Sequence, residues 1–236
     1  MSGWADVTVE RLNDAEVLAQ RVAEWLFDLA TAKDGMFAVA LAGGSTPKRL
    51  YEILASSPCL EKFPWARTHW YFGDERFVPP TDALSNFRMV REAMFDHAPV
   101  PDGNIHAVPT VGLTPDQAAT AYERVLKSNP AKPHFDAVLL GLGTDGHTAS
   151  LFPGSPVLNE RIRLVAAETK SKAEARITLT YSALESTRNA AFLVAGQDKR
   201  KILAEVRRPG CNLPAARLNP SGKLWLFADA AAFDAA

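Results

Sequence analysis

Cysteine is nearly absent from this chain of 236 residues. Cys59 and Cys211 stand far apart, with neither the CxxC spacing of a zinc site nor the paired framework of a disulfide-stapled fold. Stability therefore has to come from a buried core, and a reducing, cytoplasmic setting is expected. Net charge is small as well. The 26 basic and 27 acidic residues leave a formal charge of −1, which gives no field to hold nucleic acid or an anionic membrane. No apolar run approaches the roughly 20 residues of a membrane span. The N-terminal MSGWADVTVE has neither the basic nor the apolar region of a secretory signal. With nucleic acid and membrane set aside, a small molecule is the expected partner, bound by a monomer or small homo-oligomer. Internal repeats and low-complexity blocks are lacking too.

What is present is an alternation of apolar runs and amphipathic stretches over a length that suits one sizeable core, so a single domain spanning 1–236 is expected. Strands are read at Val7–Glu10, in MFAVALAG, at His69–Phe72, from Phe135 to Leu142, at Arg163–Ala167, Arg176–Thr180, Ala190–Ala195 and Leu224–Phe227, with a minor one at Ile105–Val108. Between them lie helical patterns. AEVLAQRVAEWLFDLATAKD is capped by Asp14 and closed by Gly35, and KRLYEILA is preceded by Thr46 as cap and Pro47 in the first turn. NFRMVREAMFDH follows Ser85, DQAATAYERVLKS follows Thr114-Pro115, and KRKILAEVRR stops at Pro209-Gly210. An Ala-rich tail suits a short terminal helix. Buried strands alternating with helices predict an α/β fold, a mostly parallel sheet with helices on both faces.

In such sheets ligands sit beyond the carboxyl ends of the strands, and the chemistry-bearing residues cluster there. After the Phe135–Leu142 run comes Gly141-Leu142-Gly143-Thr144-Asp145-Gly146-His147, an acid and an imidazole among glycines that let a ligand approach the backbone. An imidazole titrates near ~6.5 in solution, which suits His147 to general-base work at neutral pH. The string GLGTDG also fits GxGxxG, with Glu168 at the spacing of a ribose-binding acid. Pro153-Gly154-Ser155-Pro156 argues against a dinucleotide site, because it stops the helix that must follow.

Gly43-Gly44-Ser45-Thr46-Pro47 lies between a strand and a helix, where backbone N–H groups and hydroxyls make an anion site. It lacks the Gly-Lys-Ser/Thr of a Walker loop, and Pro47 replaces the last glycine of the nucleophile elbow GxSxG, which weakens Ser45 as a covalent nucleophile. A phosphate on a small metabolite suits it better. Gly73-Asp74-Glu75-Arg76 ends another strand, and Arg76 either takes an anion bidentately or pairs with its acidic neighbours. Lys199 opens a helix, a position that disfavours a cation unless an anion shares it. Arg176 heads the strand RITLT as a ligand contact or an exposed strand start. The remaining histidines, His69, His97, His106 and His134, show no metal-ligand spacing such as HExxH.

Taken together, LAGGSTP, GDERFVPPTDALSNF, GLGTDGHTASLFPGSP, RITLT and GQDKRKIL, in that order over residues 41–203, resemble the 6-phosphogluconolactonases within the sugar-phosphate isomerase/deaminase-like group. The resemblance implies a Rossmann-like three-layer α/β/α sandwich. It implies hydrolysis of 6-phospho-D-glucono-1,5-lactone to 6-phosphogluconate in the oxidative pentose phosphate pathway, with no required cofactor and no metal. It supports His147 as the base. Asp145 is expected to orient the loop or the imidazole, and Arg76 to stabilise negative charge on phosphate or oxyanion. Gly44, Ser45, Thr46, Arg176 and Lys199 are the expected phosphate-binding set, Gly43 is expected to contact substrate beside them, and Asp74 is expected on sugar hydroxyls or on Arg76. Glucosamine-6-phosphate deaminases are the nearest rival. They typically carry D-E-Y in place of D-E-R and an acid soon after DGH, where this chain reads Thr148-Ala149-Ser150-Leu151-Phe152-Pro153. A non-catalytic sugar-phosphate sensor is the alternative from another class, though the α/β pattern leaves little chain for an output module.

Overall fold

The computed structural model describes residues 3–128 and 134–233. The strands are β1 (Thr8–Leu12), β2 (Phe37–Leu41), β3 (Thr68–Phe72), β4 (Asp74–Arg76), β5 (Ala137–Leu140), β6 (Val165–Glu168), β7 (Arg176–Leu179), β8 (Asn189–Val194) and β9 (Lys223–Asp229). The helices are α1 (Ala15–Ala32), α2 (Ser45–Leu54), α3 (Cys59–Lys62), α4 (Asn86–Val90), α5 (Pro115–Ser128), α6 (Tyr181–Leu184) and α7 (Arg200–Val206). Six strands form a parallel sheet in the order β1-β9-β8-β5-β2-β3, with helices on both faces, an α/β architecture as expected.

Every residue of β2 and β5 is buried, the signature of central strands covered on both sides. Their starts are tied together by Asp136, whose carboxylate accepts from Lys33 Nζ at 2.5 Å and from Ala38 N at 2.9 Å. The chain leaves β2 for β3 on one side, and β5 lies on the other, so the strand order reverses at β2. That reversal opens a crevice at the carboxyl ends. A second, antiparallel sheet, β4-β7-β6, stands beside it. The sequence pattern does not anticipate this sheet, because nothing in RITLT or GDER says which partner strand each will find.

Several boundaries differ from expectation for identifiable reasons. The run after Ser85 is helical only to Val90 and then widens into a π-helical turn, Arg91–Phe95. Ile105–Val108 contributes a single bridge, Ile105 to Trp70, not a strand. The Ala-rich tail is a turn through Phe233 where it is described, and residues 234–236 lie outside the described residues. Asp14 caps α1 as expected, accepting from Val17 N at 2.8 Å. Ser85 caps α4 by accepting from Arg88 N at 3.1 Å.

Beside β3, His106 lies between two rings. It stacks on Tyr71 with centroids 4.2 Å apart, and its Nε2 meets His69 Nδ1 at 2.9 Å. Burial, together with the charge of His69, pushes His106 down to about 4. An unfolded histidine titrates near ~6.5, so between there and about 4 the unfolded chain binds the extra proton. This group's contribution is therefore full above ~6.5 and lost as pH falls toward the folded value. The melting temperature is expected to drop between pH 7 and pH 4, and His106→Gln to flatten part of that slope in calorimetry. An unchanged slope in the variant would assign the acid sensitivity elsewhere.

Candidate active site

The crevice holds a cavity of about 280 Å³ whose wall includes Gly43–Thr46, Asp74, Arg76, Asn86, His147 and Lys199. Residues expected from four separate stretches of sequence are thus brought to one hollow. Arg176 is not among the residues lining that wall and stands beside it, opposite Arg76. Its Nη1 donates to the Glu174 carbonyl at 2.9 Å and lies 3.5 Å from the Glu174 carboxylate.

The first wall is the β2–α2 loop. Gly44, with φ of 107°, is the N-cap of α2, which makes Ser45 and Thr46 the first two helical residues and corrects the reading of Thr46 as cap. Only a glycine accepts that backbone conformation readily. Pro47, third in the helix, has no N–H, so the orphan donors at this end are those of Ser45 and Thr46. Tyr51 fastens the loop to the helix, donating to Ala42 O at 2.8 Å and accepting from Ala42 N at 3.0 Å. Burial pushes the Tyr51 phenol far up, so it keeps its proton.

The second wall is β4. Glu75 turns away from the cavity and accepts from Asn86 N, Phe87 N and its neighbour Arg76 N, each at 2.7 Å. It therefore holds β4 against the start of α4 and is not free to neutralise Arg76. Burial raises the Glu75 carboxyl, and the three N–H donors partly oppose that shift. Among the described residues Arg76 has no ion pair, and its guanidinium donates to the Leu84 carbonyl. Arg176 stands directly opposite Arg76 in the β4–β7 register. Burial and the Arg76 charge lower the Arg176 pKa. Like charges directly opposite on paired strands are unfavourable, and an anion in front of them removes the penalty. Lys199 forms the end of a short 3-10 turn leading into α7, and its ammonium is 3.4 Å from Asp198.

The third wall is the loop after β5. Gly143 N donates to His147 O and Gly146 N to Gly143 O, both at 2.9 Å, closing the loop on itself. Asp145 accepts from His147 N at 3.1 Å and also meets the Nδ1 of the same ring. Burial alone would raise the Asp145 carboxyl, but these bonds hold it below the usual carboxylate range. With Nδ1–H given to Asp145, the lone pair is left on Nε2. A Cβ on Gly143 would lie 2.0 Å from His147 Nδ1, so the ring occupies space that only glycine leaves open. Phe152 packs on the ring with centroids 4.6 Å apart, and Lys172 Nζ sits 5.0 Å from the Phe152 centroid.

Glu168, a candidate ribose ligand in the dinucleotide reading, is buried and accepts from Ser155, from Lys170 N at 2.7 Å and from Ser171 N at 3.0 Å. It clasps two loops. No helix follows residues 141–146, which removes the dinucleotide site. Asn86, Ser150, Phe152 and Lys172 received no role from the sequence. Spacing carried no signal for them, and only SN after GDER hinted at Asn86. Among the described residues no group of three or more His, Cys, Asp or Glu is placed to hold a metal ion.

Residues 13–226 match the family described as glucosamine-6-phosphate isomerases/6-phosphogluconolactonase. A 6-phosphogluconolactonase of Nostoc sp. is 41% identical over 236 residues, covering 95% of this chain and 96% of that one. The crystal structure of 6-phosphogluconolactonase from Thermotoga maritima superimposes with a TM-score of 0.82 at 34% identity, covering 94% of this chain and 99% of that one. A monomeric glucosamine-6-phosphate deaminase superimposes equally well, with a TM-score of 0.83 at 19% identity over 96% of this chain and 98% of that one. That likeness is one of fold alone. The architecture serves both enzymes, so the site has to separate them.

Proposed function

The chain belongs to the glucosamine-6-phosphate isomerase/6-phosphogluconolactonase family, and on that premise we propose that it is a 6-phosphogluconolactonase, hydrolysing 6-phospho-D-glucono-1,5-lactone to 6-phosphogluconate in the oxidative pentose phosphate pathway. The observation that carries the proposal is the shared cavity, with an imidazole oriented by a carboxylate on one wall and an anion-seeking loop and Arg76 on the others. A lactone is a cyclic ester. Opening it needs an activated water, support for a developing oxyanion and a proton for the departing ring oxygen.

His147 Nε2 takes a proton from a water as its oxygen bonds to the lactone carbonyl carbon. The tetrahedral oxyanion collapses, the bond from that carbon to the ring oxygen breaks, and the imidazolium returns its proton to the ring oxygen. The product acid then ionises and releases a proton to solvent. Asp145 holds the ring and its tautomer throughout and supports the transient imidazolium. The phosphoryl group meets the N–H groups and hydroxyls at Ser45 and Thr46, with Gly43 and Gly44 giving close approach, and the cations Arg76 and Lys199. Arg176 acts from behind Arg76, through the field of the pair.

Two features favour this reading over the deaminase. Position 76 is arginine, and residues 148–153 contain no carboxylate, with Phe152 packed on the imidazole. The direct test is acid release from freshly generated lactone above its spontaneous rate. Release of ammonia from glucosamine 6-phosphate without lactone hydrolysis would overturn the reading, and binding of 6-phosphogluconate without turnover would make the protein a sensor.

Ser45→Ala tests the covalent alternative. Among the described residues no hydrogen bond links Ser45 to a histidine, and the His147 ring is oriented by Asp145 instead. The variant is expected to bind 6-phosphogluconate about 3–10-fold more weakly, the loss of roughly one hydrogen bond, while saturating turnover stays appreciable. A pre-steady-state burst of acyl-enzyme in the wild type would reverse that conclusion.

A further inference from the structure

The cavity contains a carboxylate that the anion-binding scheme does not use. Asp74 lies on its wall, in a hollow whose cations attract negative charge, yet among the described residues it forms no ion pair. Its hydrogen-bond partners are neutral, and the Arg176 charge reaches it only through space. Ser150 Oγ donates to Asp74 Oδ2 at 2.6 Å, and Asn86 Nδ2 donates to the Asp74 carbonyl at 2.9 Å while lying 3.5 Å from Oδ1. Ser150 is 1% exposed and Asn86 3%, so neither exchanges these bonds for water.

Both donors are themselves held. Ala149 adopts a φ of 47°, a left-handed turn immediately before Ser150, and lies on the cavity wall itself. Ser150 N donates to Thr178 Oγ1 at 3.2 Å, and Thr178 is the residue opposite Asp74 in the β4–β7 register. Asn86 lies flat against the β2–α2 loop, so close that a Cβ on Gly43 would stand 2.1 Å from its Oδ1. The loops after β2 and β5 and the start of α4 thus converge on one carboxylate.

We propose that Ser150 and Asn86 are positioning residues that hold Asp74 as the acceptor for one ring hydroxyl of the substrate, so that the site selects a polyhydroxylated lactone and not merely a phosphorylated ester. A carboxylate offers about four acceptor positions, and the two neutral donors occupy only two of them. A second anion there is repelled, whereas an uncharged hydroxyl gains a charge-assisted hydrogen bond. Removing that hydroxyl from the ligand leaves one acceptor position of Asp74 desolvated and unfilled, which is how a site built around a hydroxyl discriminates.

The inference rests on the lactonase reading for its substrate class, and the experiment separates the two. The wild type, Ser150→Ala and Asp74→Asn are assayed with the phosphorylated hexonolactone and with analogues each lacking one ring hydroxyl. Binding of the corresponding phosphorylated aldonic acids is measured by calorimetry. In the wild type one deoxy analogue is expected to lose about 10–100-fold in kcat/KM, the range for a hydrogen bond to a charged group.

In Ser150→Ala the discrimination against that analogue is expected to fall several-fold. The parent KM rises, kcat changes less than about threefold, and affinity for inorganic phosphate stays at the wild-type value, a pattern that general loosening of the fold does not give. Asp74→Asn keeps the shape of the side chain and loses the same discrimination, which preserves the test if Ser150→Ala folds poorly. Equal use of all analogues by the wild type, or unchanged discrimination in both variants, overturns the proposal. A wild type that hydrolyses no lactone defeats the lactonase reading instead, and the binding comparison then decides the hydroxyl contact by itself.

Discussion

Replacing His147 by alanine is expected to lower kcat by about 10²–10⁴-fold while KM changes by only a few-fold, the signature of a group that acts in the transition state and does little to hold substrate. The expectation follows from how the ring is placed. Its Nδ1 is committed to Asp145, its face rests on Phe152, and the side chain is 28% exposed on the cavity wall. Removing it leaves the anion-binding loop and Arg76 intact, so the lactone still binds but no base takes the proton from water. The fold is not at stake, because the loop is closed by backbone bonds of Gly143 and Gly146 that alanine keeps. Rates must be corrected for the opening that a lactone undergoes in water. Near-wild-type turnover in this variant would remove His147 from the mechanism.

Arg76→Ala is expected to lower kcat/KM by about 10²-fold or more, mainly through KM. A charged hydrogen bond lost from a partly desolvated site costs about 1.5–3 kcal/mol, and two parallel ones cost more. The assignment to the phosphoryl group comes from the ground state of the site. Arg76 and Arg176 face each other, Glu174 pairs with Arg176, and Asp74 offsets the repulsion only in part, since the net effect of these charges and burial still lowers the Arg176 pKa. A fleeting oxyanion cannot offset a repulsion present all the time, whereas a bound dianion can. Arg76→Lys is expected to recover only part of the loss, because an ammonium cannot form the two-pronged contact. A fall confined to kcat, with KM unchanged, would instead place the guanidinium on the oxyanion.

The sequence carried the main sheet well because β2, β5 and β8 are continuous apolar runs of strand length between amphipathic helices, a pattern that burial on two faces requires. It carried the small sheet poorly. Asp74–Arg76 is three residues long and finds its partner at Arg176–Leu179, a pairing about a hundred positions away that no local pattern encodes. The site shows the same division. The GGSTP and TDGH loops were legible because glycines, hydroxyls and an imidazole at strand ends are rare enough locally to carry meaning. Ser150, Asn86 and Phe152 were not, since a buried serine and an exposed one look alike until the carboxylate that the serine meets has been placed.

By itself the sequence determined the class of fold, the family likeness, and the expectation that an imidazole and an anion-binding loop lie at strand ends, because local periodicity and backbone requirements are written in neighbouring residues. Tertiary structure alone decided which charges are spent and which are free. Glu75 is consumed by backbone donors, Arg176 is turned toward Glu174, Arg76 forms no ion pair among the described residues, and Asp74 is held by neutral hydrogen-bond donors. Those outcomes depend on distances between segments far apart in the chain, and the energy of a charge is set by what surrounds it in space.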